Sequence, residues 1–170
     1  MELNKFYKDQ SKWANSNRAS RHAKYEFQAF RAWMEHCHCR GFILDRQSND
    51  MEATAAACCV PDSVGRNGIH YELQMWDGWK SGEWPSHLKY LHVFDSKIHM
   101  RTNPEWKDGY YVLINTDETH AVVIPFSVEP VDSRFVTTIE NGEEVETEVW
   151  MVPASQCHPI PLLKVRTELN

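Results

Sequence analysis

The chain has no apolar run approaching the roughly 20 residues that cross a bilayer. Its start, Met-Glu-Leu-Asn-Lys, is polar and unlike a secretory leader. A soluble, intracellular protein of the cytoplasm is expected. Internal repeats and low-complexity stretches are also missing, so neither a solenoid nor a tail-like chain is indicated. Cysteine is scarce and odd in number: five residues, spaced Cys37-His38-Cys39, Cys58-Cys59 and Cys157-His158. That spacing does not resemble a secreted disulfide framework, and reduced thiols are expected. Cys37, Cys39, Cys58 or Cys59 and His36 are residue types that coordinate zinc, yet Cys-x-Cys and adjacent Cys pairs are not the usual knuckle spacing for a structural Zn²⁺. Buried thiols at a helix end and in a core strand account for them without a metal.

An excess of positive charge is missing too, since the net charge is -6. Its distribution is uneven: residues 1–40 hold eight Lys and Arg against four Asp and Glu, leaving ten basic and twenty acidic residues for the rest. Lys5, Lys8, Lys12, Arg18, Arg21 and Lys24 are interleaved with Phe6, Tyr7 and Trp13. Such an arm suits a phosphate backbone, where basic contacts supply non-specific affinity; a solvated helix face reads the same pattern without a ligand. At 170 residues, 42% hydrophobic and 25% charged, the chain fits one domain with an ordinary core.

Two carboxylates with a polar partner stand out. Pro61-Asp62 is followed ten positions later by Glu72-Leu73-Gln74. Residues 69–76 alternate, so Ile69, Tyr71, Leu73 and Met75 face a core while Glu72, Gln74 and Trp76 share the other face of a half-buried strand. Arg66-Asn67-Gly68 suits a three-residue hairpin loop with Gly68 left-handed. That register sets Asp62 directly opposite Glu72, with Cβ atoms about 4.5 to 5.5 Å apart, where like charges need an offsetting cation. A two-residue Asn67-Gly68 loop would instead move Asp62 onto the Leu73 face.

At these residues the chain resembles the PD-(D/E)xK nuclease superfamily, in which an Asp and then a Glu-x-Lys strand follow a helix that often carries another Glu. The matching positions are Pro61-Asp62, Glu72 and Gln74, with Glu26 in the preceding helix. Residues 110–115 followed by 120–125 are similar to the later strand pair of small restriction-like or intron-encoded members, and the resemblance spans roughly residues 20 to 130. It implies Mg²⁺ or Mn²⁺ held by Asp62 or Asp50 with Glu72, and DNA as the partner, with homodimer formation left open. Gln74 stands where the family usually has Lys. A Lys would polarise the scissile phosphate, whereas Gln can only hydrogen-bond. Lys80, Lys89 and Lys97 are the replacements nearby in sequence.

Elsewhere the pattern is structural. From Ser20, Tyr25, Phe27 or Ala29, Phe30, Trp33, Met34 and Cys37 recur at helical spacing, predicting an amphipathic helix ending near Gly41. Phe42-Ile43-Leu44-Asp45 suits a first buried strand, and Ser48-Asn49-Asp50 a turn. Residues 51–60 are ambiguous, with strand favoured only at their end. Trp76, Trp79 and Trp84 lie on a glycine-containing loop; Trp79 and Trp84 either stack on bases or form a small satellite core, the latter favoured. His87, His92 and His99 alternate with apolar residues in a further strand. Tyr110–Asn115 with His120–Phe126, and Val131–Ile139 with Val145–Val152 around Asn141-Gly142, read as two hairpins. Glu143, Glu144, Glu146 and Glu148 make the last one acidic, as a solvated edge protected from aggregation or a mimic of a phosphate backbone.

The expected fold is α+β, with the N-terminal helix on a mixed sheet extended by C-terminal hairpins. Residues 1–20 form a basic arm or helix, 21–130 a nuclease-like core, and 131–170 an acidic hairpin and tail. The expected function is a metal-dependent DNA endonuclease using Asp62, Glu72, Gln74 and Glu26. The alternative is a non-enzymatic acidic protein that binds or inhibits another protein.

Overall fold

Helical spacing in the first third of the chain produces α1 (Asn17–Cys39), three residues longer at its start than expected because nothing in Asn17-Arg18-Ala19 breaks a helix. In this computed structural model, residues 17–46, 63–76, 78–94, 99–140 and 143–165 are described. The buried stripe of α1 is Ala29, Ala32, Trp33, His36 and Cys37. Met34 was expected in that stripe but is 39% exposed, because one residue beyond Trp33 the helix has turned by about 100°. The helix stops at Gly41, whose φ of 82° lets Gly41 N donate to His38 O at 2.9 Å and Phe42 N to Cys37 O at 2.8 Å. This pair of bonds is a Schellman cap.

The main sheet has six strands in the order β1 (Leu44–Arg46), β2 (Ser63–Gly65), β3 (His70–Trp76), β5 (Tyr110–Asn115), β6 (His120–Pro125) and β9 (Ile160–Pro161). It is mixed: β3 and β5 are parallel, and the other neighbours are antiparallel. β1 occupies an edge, so the run at residues 42–44 is not a buried strand throughout. Phe42 and Ile43 are 51% and 48% exposed, and only Leu44 is buried. The hairpin of β5 and β6 matches its expected bounds to within a residue.

The second hairpin, β7 (Asp132–Glu140) with β8 (Glu143–Pro153), also forms, and its ladder closes with Glu140 opposite Glu143. It does not extend the mixed sheet as expected. β8 pairs instead with β4 (Tyr90–Phe94), giving a separate antiparallel sheet ordered β4-β8-β7. Of the three expected strand histidines only His92 lies in β4; His87 is in a turn and His99 opens a short 3₁₀ turn, His99–Thr102.

Alternation along β3, β5 and β6 gives the main sheet two buried faces. One packs on α1 through Leu73, Met75, Val112, Ile114 and Ala121. The other carries Tyr111, Leu113, Val122 and Ile124, and meets Leu91, Val93 and Val152 of the second sheet together with Met100, Phe126 and Trp79. The architecture is helix, sheet and second sheet in layers. Among the described residues no helix is long and apolar enough to cross a membrane.

Candidate functional site

The β2–β3 hairpin takes the three-residue loop read from its sequence. Gly65 N donates to Ile69 O and Gly68 N to Gly65 O, both at 2.8 Å. Gly68 has φ 81°, which a side chain disfavours, and Asn67 Oδ1 accepts from Ile69 N at 3.1 Å. The ladder runs Val64 opposite His70 and Ser63 opposite Tyr71. The next position on β3 is Glu72; Asp62 and Asp50 lie outside the described residues.

Leu73 and Met75 point into the α1 core with Tyr71 packed beside them, while Glu72, Gln74 and Trp76 take the other face, as alternation requires. That face is covered rather than open. Glu72 is only 6% exposed, beside Tyr111 on β5, and Tyr111 packs edge-on to Phe126 at 4.6 Å. Gln74 is half-buried opposite Leu113. A carboxylate at such depth persists only with compensating partners. α1 lies on the Leu73 and Met75 face, so the structure does not bring the helix to the side of Glu72; the side chain of Glu26 is outside the described residues.

His70 shares the face of Glu72, two residues before it, and sequence reasoning passed over it. Its ring lies 6.4 Å from that of Trp106. Burial lowers its pKa below the usual 6.5, against the opposing pull of Glu105 and a backbone hydrogen bond at Gly68. The period-two spacing from Glu72 was the available signal.

Of the three lysines named as replacements for the family Lys, Lys80 and Lys89 are described. Lys80 follows the C-terminal end of β3, where its carbonyl accepts from Asp117 N at 3.1 Å. Lys89 precedes β4 and its Nζ donates to Ser86 O at 2.9 Å. Lys97 and Lys12 lie outside the described residues, and Arg18, Arg21 and Lys24 stand on α1 with side chains outside them.

The tryptophans do not form a separate satellite core: Trp79 belongs to the core between the two sheets, and Trp76 and Trp84 pack against it. Trp79 is fully buried, its Nε1 donating to Gly82 O at 3.0 Å and Glu83 O at 3.1 Å, so it offers no open face to a base. This corrects its assignment as a nucleic-acid contact. Trp84 is half-buried, with Nε1 donating to Leu88 O at 2.7 Å and its ring packed on Trp76 and Trp79 at 5.4 and 5.3 Å. Beside it a groove of about 680 Å³ runs along Trp84, Pro85, Leu88, Tyr90, Val131 and Pro153.

Among the described residues no three His, Cys, Asp or Glu side chains come together in a metal-holding group. Cys37 is a buried thiol with its pKa pushed up to about 11 by burial. Its neighbour His36 is already engaged, since Nδ1 accepts from Leu163 N at 3.0 Å. Cys58 and Cys59 lie outside the described residues.

A buried polar network that the sequence reading did not single out closes the β5–β6 turn. Asn115 is fully buried; its Oδ1 accepts from Thr119 N and His120 N, and its Nδ2 donates to Thr119 Oγ1, all at 2.9 Å. Thr119 Oγ1 donates onward to Asp117 Oδ1 at 2.6 Å. An Asn at a strand end, four residues before a Thr, was the signal for it.

Comparison of the chain with protein-family models, with curated proteins and with solved structures gives no match. The α+β architecture and the residues themselves therefore carry the functional argument.

Proposed function

We propose that the protein is a metal-dependent DNA endonuclease whose acidic centre is built on the β2–β3 hairpin. The observation that carries this reading is the register: the Arg66-Asn67-Gly68 loop, with Gly68 left-handed, is the one on which the pairing of Asp62 with Glu72 depends. The order of helix, hairpin and an adjoining pair, β5 and β6, in the same sheet also suits the resemblance to PD-(D/E)xK nucleases.

Hard carboxylate oxygens suit Mg²⁺ or Mn²⁺. Glu72 is the one proposed ligand whose side chain is among the described residues; with Asp62 or Asp50 it would hold the ion, while Glu26 stands on α1, across the sheet from Glu72. When bound, the ion acidifies a water and offsets charge on the phosphate. Gln74 would orient that water by hydrogen bonding. His70, whose pKa burial lowers, would accept a proton on the same face. Arg18, Arg21 and Lys24 would attract the phosphate backbone to the start of α1.

The test is cleavage of supercoiled plasmid and of single-stranded DNA with Mg²⁺ or Mn²⁺. The wild type should cut, whereas Asp62→Ala and the near-isosteric Glu72→Gln should lose cleavage by roughly a hundredfold or more, with Glu72→Gln keeping most of its stability. Full cleavage by Glu72→Gln would remove Glu72 from the mechanism.

A second reading, an acidic protein-binding or inhibitor protein, is favoured by one observation. β4 pairs with β8 only from Val149 to Pro153, so, among the described residues, 143–148 pair with β7 alone in a two-stranded arm. On one face of that arm the register sets Glu148 opposite Phe135, which is 66% exposed. Metal-independent binding to a basic partner, lost in Phe135→Ala, would favour it.

A further inference from the structure

The outer edge of β7 supports an inference independent of the hairpin site. β7 is nine residues long and ends the order β4-β8-β7, and among the described residues no other strand pairs with its outer side. Edge strands are normally blunted by Lys, Pro, a bulge or short length. Here the stretch from 135 to 139 reads Phe-Val-Thr-Thr-Ile, all aromatic or β-branched, with neither charge nor Pro nor Gly. Those residues favour strands, and all five lie on an arm with only one partner strand among the described residues. A two-stranded ribbon is marginal by itself and gains from a third strand.

We propose that β7 pairs antiparallel with β7 of a second copy, about a two-fold axis at Thr137. A bare edge accepts many strands, but in a two-fold pair positions equidistant from the axis face each other. An axis at Thr137 sets Arg134 opposite Glu140 twice, and position 135 (Phe) opposite 139 (Ile). An axis at Val136 sets Asp132 opposite Glu140 twice, which like charges disfavour. An axis at Thr138 carries Arg134 past the end of the strand. Charge therefore selects both the occupant and the register. Arg134 is exposed, with Nη2 3.1 Å from His92 Nε2. Its five donors allow it to keep that contact and still meet a carboxylate. The product is a continuous six-stranded antiparallel sheet ordered β4-β8-β7-β7-β8-β4 across two copies.

Sedimentation of the full chain over a range of concentrations tests this. Wild-type mass should rise with concentration toward that of two copies. Arg134→Glu and Glu140→Arg should each weaken association by roughly tenfold or more, because each creates two like-charge pairs. The double swap should regain it, which a merely structural role of Arg134 would not produce. Thr137→Lys, an exposed change that sets two ammonium groups face to face on the axis, should leave a folded monomer by circular dichroism. A mass that stays monomeric at every concentration, or association that the single swaps leave unchanged or the double swap fails to restore, would overturn the proposal.

Discussion

Gly109 shows how a single backbone position joins the layers. Its N–H donates to Trp106 O at 2.7 Å and its carbonyl accepts from Phe126 N at 2.9 Å, so the chain enters β5 directly under the Phe126 ring. A methyl group there would run into that ring and come 2.7 Å from the His70 carbonyl oxygen. Phe126 is fully buried and a carbonyl in the sheet cannot retreat. Gly109→Ala is expected to lower stability by about 1–3 kcal/mol through overpacking, read from the urea midpoint. An unchanged midpoint would show that the Phe126 side has slack. Nothing in the sequence marked this glycine beyond a turn before a strand, because its neighbours come from β3 and from the end of β6. Asn115 was equally hidden. A strand-terminal Asn is ordinary in sequence, and only the closed turn turns its amide into a buried partner for three groups.

Elements were legible where their determinants are local. The Schellman cap at Gly41, the Gly68 loop and both late hairpins follow from short patterns of turn residues and alternation. The placement of β7 and β8 was not legible, because β8 finds β4 across 55 to 63 positions of chain, from Phe94 with Val149 to Tyr90 with Pro153, and periodicity does not name a partner. Phe42 and Ile43 were misread for a related reason: an apolar pair at a sheet edge has the same pattern as one in a centre. Of the acidic pair, the register was legible on the Glu72 side, while the burial of Glu72 depends on Tyr111 and the layer behind it. Gly68 provides a clean measurement of what the loop contributes. An added Cβ would meet nothing within 4 Å, so Gly68→Ala costs only the left-handed backbone, about 1 kcal/mol. Gly68→Asn should recover part of that loss, since Asn tolerates this conformation better. Equal midpoints for wild type and Gly68→Ala would mean that the loop relaxes to another turn, and the register at Glu72 would have to be redrawn.

Across the whole molecule, three histidines, His36 buried and His70 and His92 half-buried, bias folding toward neutral and higher pH. Burial is the main cause in each case; Arg40 adds to it at His36 and Arg134 at His92, while Glu105 opposes it at His70. A histidine whose folded pKa lies below the usual 6.5 binds fewer protons folded than unfolded, so its contribution is complete above 6.5 and falls as pH drops through that value toward the folded one. Geometry gives His36 a specific part in this. Its Nδ1 accepts the Leu163 N–H at 3.0 Å while the ring stacks on Trp33 at 5.1 Å, so protonating Nδ1 would set one N–H against another. The segment after β9 would then be left held to α1 chiefly by Val165 N donating to Glu35 Oε1 at 2.7 Å and by buried Leu162. The urea midpoint should therefore fall as pH is lowered from about 7.5 to about 5.5, a window in which histidines titrate and most carboxylates do not. Amide exchange at Leu163 should accelerate over the same window. His36→Gln has no charge to gain, so it should flatten part of the fall. A midpoint that holds or rises on acidification would mean that acid-strengthened ion pairs elsewhere outweigh these rings, and an unchanged slope in His36→Gln would remove His36 from the effect.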